Sequence, residues 1–318
     1  MKDIKKTLEK QGHRFIGDHG SVKICNWTRK SLVDEGCCYK EKFYGIKSPQ
    51  CCQMSPWLGC ENKCLHCWRP IEVNFGENVS ENIKEPEEII DEAVSFQRKL
   101  LMGFKGNGKV NLEKFKEAQE PMQFAISLIG EALNYPKIGK FIKALGDRGK
   151  TSFLVSNGLH PDVLSDLGEK DCLPTQVYVS MNAPNEKMFN EWNKSRVRDA
   201  WKKYNKSLDV LKDLKSKTRT VLRMTLVKDK NILFEHVKGY VNLIKRAKPD
   251  FVEVKGFVSV GFSRQRLGYD MMPTHEDIKE FGDKLIEGLE CYDVLDEHSS
   301  SKVILIGDNN KDKEIKWK

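Results

Sequence analysis

Cys60, Cys64 and Cys67 stand in the run Cys60-Glu-Asn-Lys-Cys64-Leu-His-Cys67-Trp68, a C-x3-C-x2-C spacing. Thiolates gathered on one short loop are soft ligands suited to iron–sulfur clusters or zinc. Three of them can hold three irons of a cubane [4Fe–4S] cluster and leave the fourth iron open. Electron-transfer clusters normally have four cysteines, so a missing fourth thiolate invites a substrate or cofactor onto the metal. Zinc is the competing reading. A closed zinc site needs four ligands, and His66 is the one offered by the same loop. A neighbour of a ligand on so short a loop rarely reaches the same metal, which favours the cluster.

Ten cysteines in 318 residues are many, and eight of them fall between Cys25 and Cys67. In a reducing compartment such a group suggests metal binding before disulfides. Cys25, Cys38 and Cys51 are separated by 13 residues each time, with Cys37 and Cys52 beside two of them. Spacing does not choose within each pair. Three more thiolates can hold a second cluster with an open iron, bind zinc, or pack as small reduced hydrophobes. Cys172 and Cys291 lie outside both sets and carry no assigned role.

These residues need a frame. The composition is globular, 39% hydrophobic and 31% charged, and no stretch approaches the roughly 20 apolar residues that span a bilayer. The start, Met1-Lys2-Asp3-Ile4-Lys5-Lys6, lacks the apolar core of a secretory signal. A cytoplasmic protein is expected. The net charge of +8 permits a polyanionic partner but does not select one. The first 52 residues show little periodicity and form a cysteine-bearing extension. From 53 to 290, strand-like segments (Gln53–Leu58, Met122–Leu128, Ser152–Val155, Gln176–Ser180, Thr220–Val227, Phe251–Val254) alternate with helix-like ones (Pro86–Leu101, Ile138–Leu145, Pro161–Leu167, Asp199–Lys215, Leu233–Ala247, His275–Leu289). Alternating βα units predict an α/β fold with a parallel sheet. Six of them make a partial (β/α)6 barrel, and a doubly wound sheet is the competing topology. Residues 291–318 read as a strand pair, Tyr292–Leu295 with Lys302–Ile306, then a mobile charged tail from Asp308.

Chemistry on such a barrel sits at the C-terminal ends of its strands, and the cysteine loop follows the first strand there. This pattern resembles the radical S-adenosylmethionine (SAM) enzymes. The resemblance implies a [4Fe–4S] cluster on Cys60, Cys64 and Cys67, its open iron chelated by the amino and carboxyl groups of SAM. The second strand ends in Ile129-Gly130-Glu131-Ala132, similar to the family's Gly-Gly-Glu-Pro, which meets the SAM ammonium. Gly130 lets the backbone approach closely, and Glu131 can accept a charge-assisted bond. Ser156-Asn157-Gly158 ends the third strand, where the family places groups near the SAM ribose and carboxylate; the same residues also make a plain turn. Asn182 ends the fourth strand. Arg223, inside the apolar run Val221–Thr225, is costly to bury unpaired, so it is either exposed at an edge or facing a polar pocket; the pocket, where it could meet a carboxylate of SAM or substrate, is the favoured reading.

The resemblance narrows along Cys25-Asn-Trp27-Thr28, Cys38-Tyr-Lys40-Glu-Lys42-Phe43-Tyr44-Gly45-Ile46, Ser48-Pro-Gln-Cys51-Cys-Gln53-Met54-Ser55-Pro56 and Cys60 to Arg69. Val260-Gly-Phe-Ser-Arg264-Gln-Arg266-Leu267 and Met272-Pro-Thr-His275 continue it. Together they are similar to the tRNA 4-demethylwyosine synthase family of the wybutosine and wyosine pathway, in its single-domain archaeal form. Ser48-Pro49-Gln50-Cys51 departs from the family's Ser-His-Arg-Cys. The resemblance implies a second [4Fe–4S] cluster on Cys25, Cys38 and Cys51. It implies a tRNA-Phe substrate carrying N1-methylguanosine beside the anticodon, with pyruvate and SAM. A SAM-derived radical would take hydrogen from the N1-methyl group; addition to pyruvate and carbon–carbon scission would leave two carbons that close a third ring. Pyruvate would be anchored as a Schiff base on Lys40 or Lys42, or chelated by the open iron of the second cluster. Lys194, Arg196, Arg198, Arg264 and Arg266 are candidates for tRNA phosphates, and Trp68 and Arg69 for the extruded base. A monomer served by an external flavodoxin- or ferredoxin-type electron donor, with no membrane role, completes the expectation.

Two alternatives remain open from the residues. A different two-cluster radical SAM enzyme would keep the Cys60 triad and change the substrate. A zinc-stabilised RNA-binding protein would hold zinc, lack colour and leave SAM intact; the long βα alternation counts against it.

Overall fold

The computed structural model describes residues 2–73 and 82–316. The chain begins with α1 (Lys2–Lys10), the hairpin β1 (Arg14–Ile16) and β2 (Gly20–Lys23), α2 (Asn26–Leu32), α3 (Tyr39–Tyr44) and β3 (Cys51–Ser55). There follow α4 (Pro86–Leu101), α5 (Leu112–Ala118), β4 (Gln123–Ile126), α6 (Ile138–Asp147), β5 (Thr151–Ser156), α7 (Pro161–Glu169) and β6 (Gln176–Ser180). The last part holds α8 (Glu186–Asn193), α9 (Ala200–Leu214), β7 (Arg219–Leu226), α10 (Val237–Ala247), β8 (Phe251–Gly256), α11 (His275–Ile286), β9 (Tyr292–His298) and β10 (Val303–Asp308).

Among the described residues, ten strands form one sheet, in the order β1-β2-β3-β4-β5-β6-β7-β8-β10-β9. β3 to β8 pair in parallel, each with the next in sequence. A doubly wound sheet reverses its strand order at a switch point; this order never reverses across β3–β8, so the sheet is the open barrel. β2 extends it antiparallel at β3, and β10 at β8. One sheet thus runs through the extension, the barrel and the terminal strand pair. Among the described residues, no helix is long and apolar enough to cross a membrane.

Period-2 alternation divides each strand between two cores. Leu154, Val177, Val179, Leu222, Met224, Val252 and Val254 face the helices. Phe153, Tyr178, Val221 and Phe251 face inward, where Tyr39, Phe43, Tyr44 and Ile46 pack on them with Val303 and Leu305 of β10. The extension therefore fills the inside of the open barrel. The same parity turns Arg223, Glu253 and Lys255 inward. α4 starts with Pro86 and a capping box in which Glu85 N donates to Glu88 Oε2 at 3.0 Å, and buries Ile89, Ile90, Ala93, Gln97 and Leu101.

The six predicted strands and six helices are all present, with ends shifted by a few residues. Sequence periodicity missed α1–α3, β1, β2, α5 and α8. Most are too short to display a stripe and draw their stability from packing. The tail, read from the sequence as mobile, is packed on the barrel as far as Ile315. Ile315 is buried and its N–H donates to Tyr44 O at 3.0 Å, while the Arg219 guanidinium donates to Asp312 O at 3.0 Å.

Candidate active site

The loop after β3 carries Cys60, Cys64 and Cys67 and is gripped from both sides. On one side lies the end of α8: Lys63 N donates to Asn193 O at 2.9 Å and Leu65 N to Trp192 O at 3.1 Å. Trp192 Nε1 donates to His66 Nδ1 at 2.7 Å, which commits that nitrogen to a hydrogen bond. Burial, reinforced by Arg266, pushes His66 down to about 4, so the ring stays neutral. On the other side a 3-10 turn, Gly261–Gln265, follows β8. Phe262 N donates to Trp68 O at 3.0 Å, and Arg266 donates to Leu65 O at 3.0 Å, to Arg69 O at 3.3 Å and to Cys67 O, while pairing with Glu72. Gly261 has φ +57°, and a Cβ there would lie 2.7 Å from Trp68 O, so only glycine lets the turn close on the loop.

The three thiols line one cavity of about 340 Å³ with Gly130, Glu131, Ser156, Asn157, Asn182, Arg223 and Lys255. Arg69 is buried beneath them; its Nε donates to Cys67 Sγ at 3.2 Å and its Nη2 to Asn62 O at 2.8 Å. Burial opposes its charge, but the sulfurs of Cys67 and Cys60 outweigh burial and hold it cationic. Asn157 Nδ2 lies 3.6 Å from Cys60 Sγ. Burial pushes Cys60 up to about 11 against the pull of Arg69; Cys64 is also raised, by burial and by the charges of Cys67 and Cys60. Among the described residues, no group of three His, Cys, Asp or Glu side chains stands close enough together to hold a single metal ion. N–H donors aimed at two sulfurs favour the thiolate form that a cluster requires, so the residues fit one.

Beside the thiols, Gly130 sits at φ +79°, and a Cβ would fall 2.2 Å from Trp57 O. Glu131 is 2% exposed; it accepts from Asn157 N at 2.7 Å and from Leu133 N at 3.2 Å. Burial pushes it up to about 7, with His160 pulling down and Glu61 pushing further up. Glu61 meets His160 Nε2 at 3.0 Å, and despite burial that bond brings it down to about 2. Two neighbouring carboxyls are thus split, one set to ionise early and one held near neutrality. Asn182 accepts from Thr225 N at 3.1 Å, fixing the ends of β6 and β7. Arg223 Nε stands 3.7 Å from Glu253 Oε2, with 24% of its side chain open to the cavity.

Cys25 and Cys38 precede α2 and α3, and Cys51 opens β3. Burial raises Cys38 to about 12, and the next cause is the charge of Cys25. Cys51 is raised by burial, then by Cys25 and Cys38. Cys37 instead responds to Glu41 after burial, and Cys52 to burial alone, within the helix-side core. Lys40, 7% exposed, lies 4.7 Å from the Phe153 ring centre and 4.5 Å from that of Tyr178. Burial lowers its pKa and Arg223 lowers it further, against the opposing pull of Glu253. Lys42 is elsewhere: half-exposed, it pairs with Asp296 at 2.9 Å and donates to Glu297 O at 2.7 Å.

The other predicted residues scatter. Trp68 stacks on His13 at 5.4 Å with Lys23 Nζ 5.5 Å from its ring centre. Lys194, Arg196, Arg198 and Arg264 are exposed; Arg196 Nη2 donates to Cys60 O at 3.4 Å and Arg264 Nε to Ser259 O at 3.2 Å. Sequence reasoning missed Lys255, Glu253, Glu61 and His160. Lys255 and Glu253 had a signal, being charges at alternate positions of an otherwise apolar strand. Glu61 and His160 had none short of the fold.

Comparison with known proteins bears on this site. The radical SAM superfamily matches residues 54–243, and the family described as wyosine base formation matches residues 246–308. A S-adenosyl-L-methionine-dependent tRNA 4-demethylwyosine synthase of Pyrococcus abyssi is 43% identical over 305 residues, covering 96% of this chain and 88% of that one. Its counterpart in Pyrococcus horikoshii is 42% identical over 306 residues, with the same coverage. A solved structure of TYW1 with a lysine–pyruvate adduct bound superposes with a TM-score of 0.86 at 32% identity, over 99% of this chain and 98% of that one. The chain belongs to the family of S-adenosyl-L-methionine-dependent tRNA 4-demethylwyosine synthases, within the radical SAM superfamily.

Proposed function

We propose that this chain is a carbon–carbon lyase that converts N1-methylguanosine beside the anticodon of tRNA-Phe, with pyruvate, into 4-demethylwyosine. One observation carries the reading: the three-cysteine loop, Gly130 and Glu131, and a barrel-lining charge cluster open on one cavity in a chain with relatives of that name. Cys60, Cys64 and Cys67 would hold the cluster, and Gly130, Glu131, Ser156, Asn157 and Asn182 would hold SAM. When bound, these groups supply one-electron cleavage of SAM, which starts hydrogen abstraction. Arg69 donates to Cys67 and offsets part of the burial that opposes the thiolate form, and Glu131 would meet the SAM ammonium, which would in turn hold its carboxylate ionised.

Of the two candidate lysines, Lys40 is the one we assign to pyruvate. Burial favours its free amine, the nucleophilic form. Its Nζ adds to the keto carbon, and loss of water leaves an imine. The lysine–pyruvate adduct of the similar TYW1 structure supports this assignment. Cys25, Cys38 and Cys51 we assign to a second [4Fe–4S] cluster, supported by the charge of Cys25 acting on Cys38 and the charges of Cys25 and Cys38 acting on Cys51; Cys37 takes no part in this, and Cys52, which touches Cys51 only as its neighbour in sequence, lies in the helix-side core. The tRNA enters over the exposed Arg196, Arg198 and Arg264, with Trp68 at the rim for stacking. Arg266, engaged with loop carbonyls, holds the cysteine loop. The enzyme works as a monomer in the cytoplasm and takes electrons from a flavodoxin- or ferredoxin-type donor.

Anaerobic iron and sulfide analysis of the reconstituted protein tests the cluster assignment. About eight irons are expected in the wild type and about four when Cys25, Cys38 and Cys51 become alanine together. About four in both would overturn the second cluster, and zinc without iron would overturn the radical chemistry.

A further inference from the structure

Two cations, Arg223 and Lys255, converge on the inner face of the barrel with the amine of Lys40 and one carboxylate. Glu253 is fully buried and spends its two oxygens on the hydroxyls of Tyr39 and Tyr44, each at 2.9 Å. Arg223 approaches it at 3.7 Å, beyond a good hydrogen bond. Among the described residues, the Arg223 guanidinium donates no hydrogen bond, and no carboxylate lies within ion-pair distance of Lys40 or Lys255. Lys255 Nζ donates to Ser301 O at 2.6 Å and lies 5.3 Å from the Tyr39 ring centre. Lys302 adds a further positive charge beside it. Cys38 also faces these cations, but its sulfur is assigned to metal. Charge removed from water without a partner is expensive. A cavity wall with this surplus is built for an anion.

Geometry specifies which kind. Parallel register sets Arg223 opposite Glu253 and Thr225 opposite Lys255. Arg223 and Lys255 are thus diagonal neighbours, roughly 8 Å apart at Cβ from strand spacing and rise. Both line the cavity of the cysteine loop. A planar guanidinium and an ammonium converging from that separation match the two oxygens of one carboxylate. We propose that Arg223 and Lys255 form a clamp for the carboxylate of the keto-acid substrate, orienting its keto carbon toward Lys40. This rests on the reading that Lys40 carries the keto acid. It assigns Arg223 to substrate rather than SAM and gives Lys255 a role in binding.

The test compares pyruvate with pyruvamide, its neutral isostere, on the reconstituted full chain without SAM or tRNA. Binding is read by equilibrium dialysis, and the lysine adduct separately by borohydride trapping and peptide mass. Lys255→Gln and Arg223→Gln should each weaken pyruvate binding roughly tenfold to a hundredfold, the worth of a charge-assisted hydrogen bond. Pyruvamide binding should change less than twofold, SAM binding should hold, and Lys255→Arg should recover most of the loss. Equal weakening of both ligands, or loss of SAM binding with pyruvate unaffected, would overturn the clamp; so would loss of the pyruvate preference only when the Cys25, Cys38 and Cys51 thiols are removed. Carboxylate discrimination without a trapped adduct would keep the clamp and refute the imine. An adduct on Lys40 without discrimination would do the reverse.

Discussion

Glu131 offers a quantitative handle on the site. Burial lifts its pKa from 4.5 to about 7, a shift of roughly 2.5 units, or about 3 kcal/mol. The folded chain then binds a proton that the unfolded chain has released between pH 4.5 and 7. Stability therefore falls as pH rises through that window. Glu61, lowered to about 2, acts in the opposite sense only below pH 4.5, so the two effects separate. Glu131→Gln removes the titrating group. Its absolute stability has two opposing contributions, because the amide loses one of two backbone hydrogen bonds, about 1 kcal/mol; the pH slope does not share that ambiguity. Thermal melts of cluster-free protein at pH 5 and pH 8 should show the wild type losing roughly 6 °C more than the variant. The same variant should bind SAM at least tenfold more weakly, since a neutral amide is a poorer acceptor for an ammonium. Equal pH slopes in the two proteins would refute the buried, near-neutral carboxyl on which this reading of the SAM site rests.

Gly130→Ala forces a Cβ against the Trp57 carbonyl at 2.2 Å and leaves alanine at φ +79°; SAM-cleavage turnover should fall about a hundredfold, as expected for a displacement near 1 Å. Cys52→Ala should keep the iron content of the wild type, while Cys51→Ala should lose about half, read by iron and sulfide analysis. Arg219→Ala removes the donor that ties down the tail carbonyls, and limited proteolysis should then cut beyond Asp308 several times faster than in the wild type.

Sequence reading reached the barrel because its βα units are long enough to show periodicity, and it singled out the three-cysteine loop because thiol spacing is chemically specific. What escaped it depends on partners distant in sequence. Lys40 and Lys42 look alike in the chain; only folding buries one between Phe153 and Tyr178 and leaves the other against Asp296. Cys51 and Cys52 are likewise neighbours that the pleat of β3 sends to opposite faces. Arg266 reads as a phosphate contact until the fold brings it to the carbonyls of Leu65 and Arg69, about 200 residues away in sequence. The tail reads as mobile because its charges are many, yet Ile315 and the backbone carbonyls around it find Tyr44 and Arg219.

The most direct measurement supplies the reconstituted enzyme with N1-methylguanosine-bearing tRNA-Phe, SAM, a reductant and carbon-labelled pyruvate, and digests the tRNA for nucleoside mass spectrometry. The account predicts a tricyclic nucleoside that contains two pyruvate carbons, lost with Lys40→Ala or without SAM. A product formed without pyruvate, or SAM cleavage with the methylated base left unchanged, would contradict it.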